Sequence, residues 1–121
     1  MAINSRAKGA RAERELAKIC RAEGFDVRRT QQYCGNTGQA ADCIGLPGIH
    51  IECKRVERLN IQDAMSQAIR DSKNEGKGNI PVVFHKKNHC RWLVTMTIED
   101  FFEMYRLSDI SDRDELDEVG E

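Results

Sequence analysis

Residues 42–54, Asp-Cys-Ile-Gly-Leu-Pro-Gly-Ile-His-Ile-Glu-Cys-Lys, constrain the fold of this chain more than any other stretch. Two short apolar runs flank a Pro47-Gly48 turn, which reads as a β-hairpin with strands over 42–46 and 49–54. Alternation along the second strand sends Ile49, Ile51 and Cys53 to one face and His50, Glu52 and Lys54 to the other. The apolar face belongs to a core, so the hairpin is part of a sheet covered on that side. With Asp42 paired opposite Glu52, both carboxylates point to one spot beside Lys54. A slip of one residue would send them to opposite faces, which makes the register a sharp expectation.

The remaining elements follow from periodicity and punctuation. Residues 5–23 read as a helix, with Ala12, Leu16, Ile19, Cys20 and Glu23 at the 3.6-residue period and Gly24 as a left-handed cap. A short strand over 25–30 follows, then a polar, glycine-containing loop over 31–41. Asn60 offers an N-cap to an amphipathic helix carrying Ile61, Ala64, Met65, Ala68 and Ile69, ending near 74–78. Two more apolar strands, 80–84 and 92–97, are joined by a charged turn. Residues 98–106 form a last short helix, capped by Thr97. The order α-β-β-β-α-β-β-α describes an α/β domain with a mixed central sheet flanked by helices. Val27, Ile44, Ile61, Met65, Val82, Phe84, Trp92 and Phe101 are assigned to its core.

The formal net charge of −1 hides segregation, because seven of the 20 acids lie beyond residue 107 with a single base, Arg113. Residues 1–107 keep 18 basic against 13 acidic residues, and residues 1–30 alone carry eight bases and four acids. A basic body with an acidic, aromatic-free tail suggests a polyanionic ligand, although a solubilising terminus and a solvated helix face would give the same composition. The expectation is one domain over 1–107 and a disordered tail over 108–121. Five cysteines without a Cys-x-x-Cys pair argue against a disulfide framework. His85, His89 and Cys90 lack a fourth ligand at zinc spacing and read as hairpin surface. With no apolar run of membrane-spanning length and no signal peptide, the chain reads as soluble and cytoplasmic.

Two convergent carboxylates suit a hard divalent cation, since Mg²⁺ takes one or two of them and keeps waters for substrate oxygens. A lysine beside them could orient a nucleophile or neutralise charge growing on a phosphate. Glu-x-Lys alone is weak: it recurs at Glu75-Gly-Lys77, in a glycine-rich loop with no strand to hold it. Its place on a hairpin with an upstream aspartate carries the weight, against a plain ion pair on a solvent-facing sheet. Glu13 falls on or beside the buried stripe of the first helix, where an acid needs a partner or a task. Glu15 points elsewhere and reads as a surface charge.

Taken together, Lys8-Gly9, Ala12-Glu13-Arg14-Glu15-Leu16, Gly24-Phe25-x-Val27-x-Arg29, Asp42 and Ile51-Glu52-Cys53-Lys54 resemble the archaeal-type Holliday-junction resolvases of the PD-(D/E)xK nuclease superfamily. Small phage-encoded members look similar. The likeness covers residues 6–70, and beyond them only the element order. It implies a PD-(D/E)xK nuclease core in which Asp42 and Glu52 are metal ligands, with Glu13 and the carbonyl of Cys53 completing the shell. Lys54 becomes the catalytic lysine, and Gln67 matches a glutamine found in many superfamily members. Arg14 and Arg29 match phosphate-gripping positions; Lys8, Arg11, Arg55 and Tyr33 are further candidates for DNA contact. Ala41 stands where the motif's proline would be, and the 31–41 loop is longer than in compact archaeal members.

The implied activity is Mg²⁺-dependent endonuclease action on branched or four-way junction DNA, with Mn²⁺ as a substitute metal, in recombination and repair. A homodimer follows from the pseudo-twofold symmetry of such a junction. A nuclease of the same fold acting on duplex, nicked or flap DNA retains the same residues. A non-catalytic DNA-binding module, or an interaction protein whose acidic tail recruits a basic partner, are the readings from other classes.

Overall fold

The computed structural model describes residues 5–30 and 41–113. Helix α1 (Ser5–Ala22) is followed by strands β1 (Arg28–Arg29), β2 (Cys43–Ile44) and β3 (Ile49–Arg55), helix α2 (Ile61–Glu75), strands β4 (Ile80–Lys86) and β5 (Leu93–Thr95), and helix α3 (Ile98–Leu107). This is the order read from the sequence. Among the described residues the sheet has five strands in the order β1-β2-β3-β4-β5, with only the β3–β4 pair parallel. The parallel pair requires a crossover, which α2 supplies.

β3 lies at the centre and is covered on both sides. Ala12, Leu16 and Ala17 of α1 pack with Val27, Cys43, Ile51 and Cys53 on one face. Ala64, Met65 and Ala68 of α2 pack with Val83 on the other. Burial on both faces is the usual condition of parallel strands, here imposed on a strand that carries charge on one of them. The caps are those the sequence announces. The Asn60 side chain accepts the Asp63 N–H at 3.1 Å, and the Thr97 hydroxyl accepts that of Asp100 at 3.2 Å. After α1, Gly24 adopts φ 96° and the Phe25 N–H returns to the Cys20 carbonyl at 3.1 Å.

Of the expected core, Val27, Met65 and Val82 are buried and Ile61, Phe84 and Trp92 partly so. Ile44 and Phe101 are not core: they are 54% and 50% exposed. Ile44 sits on β2 opposite the α1 side, and α2 covers β3 and β4 instead. Phe101 belongs to α3, none of whose residues is buried. On α1 the buried stripe is Ala10, Ala12, Leu16 and Ala17, and Ile19, expected inside, is 42% exposed. No helix among the described residues is long and apolar enough to cross a membrane. Residues 114–121, most of the expected tail, lie outside the described residues.

Candidate active site

The site is built on the end of the β2–β3 hairpin. Cys43 pairs with Ile51, and Asp42 lies one residue outside that ladder, where its carboxyl reaches Glu52. Asp42 is pinned to both neighbouring strands. Its N–H donates to the Ile51 carbonyl and its own carbonyl accepts the Thr30 N–H, both at 2.9 Å. Its Oδ2 accepts the Cys53 N–H at 2.8 Å, so the carboxylate stands in for a backbone acceptor. The hairpin can take this shape because Gly45, at φ 122°, passes directly over the segment leading into β1. A Cβ there would sit 2.3 Å from the Asp26 carbonyl oxygen and 2.6 Å from the Val27 Cα.

The carboxyls of Asp42 and Glu52 come within hydrogen-bonding reach of each other, and Glu52 is 1% exposed. Burial first, then the neighbouring Glu52 charge, pushes Asp42 up to about 7, against the lowering effects of the Cys53 N–H and the Lys54 charge. Lys54 Nζ donates to Gln67 Oε1 of α2 at 3.3 Å. Asp42, Glu52, Lys54 and Gln67 therefore form one group.

Glu13 stands beside this group rather than in it. Its Oε1 accepts Arg29 Nε at 2.6 Å across from β1. Burial, together with the Asp42 charge, raises its pKa despite the hydrogen bond and charge of Arg29. Arg29 is thus the partner of Glu13 in this structure. Cys43 and Cys53 are structural thiols: burial pushes Cys43 up to about 12 and Cys53 higher still.

Three residues around the site had been given no role by the sequence. His50 is fully buried, with Nε2 2.9 Å from Glu52 Oε1 and Nδ1 2.9 Å from Glu75 Oε1. Burial opposes its charge, but the hydrogen bonds and charges of Glu52 and Glu75 outweigh this and raise its pKa. Glu75, part of the chance Glu-x-Lys, closes α2 and anchors the ring that orients Glu52. Glu15, read as a surface charge, is instead a junction between elements. It accepts the Trp92 indole N–H at 3.2 Å and pairs with Arg55 and with Lys86, the latter at 3.5 Å. The position of His50 two residues before Glu52 was the one available sequence signal; Glu75 and the Glu15 partners offered none.

The donor set fits a hard divalent cation. Two buried carboxyls in contact carry a like-charge strain that either a proton or a cation relieves. A residue's N–H and C=O leave a strand on the same edge, so the Cys53 carbonyl faces the Asp42 side as its N–H does. No three His, Cys, Asp or Glu side chains converge at metal-binding distances among the described residues.

Of the DNA-contact candidates, Lys8, Arg11 and Arg14 line α1 without an ion-pair partner among the described residues, Arg11 and Arg14 being exposed. Arg29 and Arg55 are held by Glu13 and Glu15. Tyr33 lies outside the described residues. His85, one of the set-aside zinc candidates, bonds Thr95 Oγ1 at 2.8 Å.

Comparison with known proteins agrees with this geometry. The fold is similar to that of Hjc, a Holliday junction resolvase from the archaeal hyperthermophile Archaeoglobus fulgidus. The TM-score is 0.56 at 21% identity, over 73% of this chain and 76% of that one. No curated protein matches the sequence. The family model described as "Phage putative PDDEXK endonuclease" matches residues 4–113. That match takes in α1, the hairpin, α2 and both later strands, and by it this chain belongs to the phage PDDEXK endonuclease family.

Proposed function

We propose that this nuclease is a metal-dependent, structure-selective DNA endonuclease that resolves four-way and other branched junctions by hydrolysing phosphodiesters, in recombination and repair. The observation that carries the reading is the meeting of Asp42, Glu52, Lys54 and Gln67 around one buried carboxylate pair. Asp42, Glu52 and the Cys53 carbonyl would hold Mg²⁺, or Mn²⁺ in its place, with Glu13 beside them. When bound, the cation supplies Lewis-acid activation and neutralises charge growing on the phosphate. The Lys54 ammonium, steadied by Gln67, orients the attacking water and offsets negative charge in the transition state. His50, held from behind by Glu75, fixes one oxygen of Glu52 and so would orient that carboxyl toward the ion.

Lys8, Arg11 and Arg14 on α1 supply phosphate contacts, joined by Arg29, Arg55 and Tyr33. Such contacts position the DNA without reading its bases, so the shape of the branch selects the substrate. Two symmetric cuts call for a C2 homodimer. Helix α3 supports this, because Ile98, Phe101, Phe102 and Tyr105 recur at helical spacing and stay exposed. Residues 1–107 would be the nuclease domain and 108–121 a dispensable acidic tail, working in the cytoplasm of the host cell.

The test is cleavage of end-labelled four-way junction, matched duplex and single strand, each with Mg²⁺ and with EDTA. Paired symmetric nicks in the junction alone, and only with metal, are expected. Metal-dependent cutting of every substrate would remove junction selectivity, and a bound but uncut junction would remove the activity.

A further inference from the structure

A cleft of about 330 Å³ opens at the carboxyl-terminal end of the parallel β3–β4 pair, beyond Lys54. This is the end of an open α/β sheet where ligands bind, and the volume lies in the range of small-ligand sites. Leu59, Ile61 and Leu93 give it apolar walls, while Arg58, Lys87 and Arg91 line it with cations. All three cations are exposed, and none has a side-chain partner among the described residues. Among the described residues Glu57 is the only acid in the lining, and its carboxylate accepts the Asn88 N–H at 2.6 Å. The cleft thus presents apolar surface beside a lining in which cations outnumber the single carboxylate.

Its placement ties it to the carboxylate pair. Lys54 is in register with His85, which lines the cleft, and in-register residues of a parallel pair share a face. Ile61, also in the lining, begins the helix whose Gln67 holds Lys54. A DNA strand whose phosphate sits at Lys54 would therefore run its next nucleotides past this opening.

We propose that the cleft takes a single unpaired nucleotide of the DNA substrate, its base against Leu59, Ile61 and Leu93 and its phosphates on Arg58, Lys87 and Arg91. The proposal rests on the nuclease reading above. A paired base hides both faces in the stack and cannot reach apolar walls, whereas a base at a branch point or bulge can be displaced at modest cost. Base contact of this kind is indifferent to sequence, and the cationic lining adds a salt-dependent backbone grip. Selection of branched DNA would then arise from unpaired bases as well as from overall shape.

The experiment uses the full chain in EDTA, where cleavage plays no part. Two duplexes of equal charge are compared, one fully paired and one carrying a single unpaired 2-aminopurine. The native chain is expected to bind the bulged probe about tenfold more tightly and to change its fluorescence. Leu93→Ser, at a position 58% exposed and so tolerant of change, should abolish that preference while leaving paired-duplex affinity intact. Arg91→Ala should weaken bulged-probe binding and reduce the slope of log affinity against log salt by about one. Equal binding of the two probes by the native chain, an unchanged preference in Leu93→Ser, or free dAMP competing as well as the bulged strand would each overturn the proposal. Failure to cleave with Mg²⁺ while bulge preference persists would count against the nuclease reading and leave the cleft standing.

Discussion

The two faces of β3 are equally buried and chemically opposite. Ile51 faces α1 and is fully buried in an apolar cluster; one residue either side, His50 and Glu52 are as deeply buried beneath α2. On the α1 face, burial stabilises the fold at roughly 25 cal/mol per Å² of apolar surface. On the α2 face, two carboxyls and an imidazole are held out of water, which costs stability unless each finds a partner. They do find partners, in Glu75, the Cys53 N–H and Lys54, but the Asp42–Glu52 contact stays strained. One strand thus separates the two tasks by parity: odd residues hold the fold, even residues hold the chemistry.

The comparison breaks most visibly at Asp42. Asp42→Asn should lower cleavage by on the order of a thousandfold, since losing a charged ligand removes several kcal/mol of transition-state stabilisation. DNA binding in gel-shift assays should persist; near-native turnover by this variant would sink the site assignment. On the other face, Ile51→Ala should cost about 3 kcal/mol of stability by cavity formation. Urea titration would show it, and the rate per folded molecule should stay close to native. An intermediate effect is expected at His50, where His50→Gln should reduce cleavage roughly tenfold through loss of Glu52 orientation. It should also raise the metal concentration needed for half-maximal rate, a shift that general destabilisation would not produce.

The smallest effect concerns pH without metal. Asp42 is raised to about 7 and His50 is raised above its ordinary value, so both favour the protonated form on folding. The stability they contribute is complete below their unfolded values, about 3.9 for aspartate and 6.5 for histidine, and is lost as pH rises through the folded values. In EDTA the domain should therefore melt a few degrees lower at pH 8 than at pH 5, and Asp42→Asn should melt higher than the native chain at pH 8. Calorimetry at the two pH values checks the sign, and added divalent cation should reverse the native loss.

Much of the fold was legible because it is encoded locally. The alternation in 49–54, the Pro47-Gly48 turn and the Asn60 and Thr97 caps set the elements and the parity of β3. The convergence of Asp42 and Glu52 was legible for the same reason, since a short turn leaves few registers and only one places both acids on a face. The likeness to a nuclease family supplied Gln67, which periodicity alone would have left as a helix-surface residue.

Contacts between distant segments were hidden. The Glu15–Trp92 bond spans 77 residues, Glu15–Arg55 spans 40 and His50–Glu75 spans 25. None leaves a periodic trace, because each depends on which helix the sheet places over which strand. The exposure of Ile44 and Phe101 was hidden likewise: an apolar residue at the right period becomes core only where another element covers it. By itself, the sequence determined the elements, the hairpin register and the two carboxylates of the site, since turn chemistry and side-chain alternation act over a few residues. Only the tertiary structure decided that α2 closes over the charged face of β3, which makes His50 and Glu75 supports of Glu52 and leaves α3 uncovered, because burial is a property of the assembled layers.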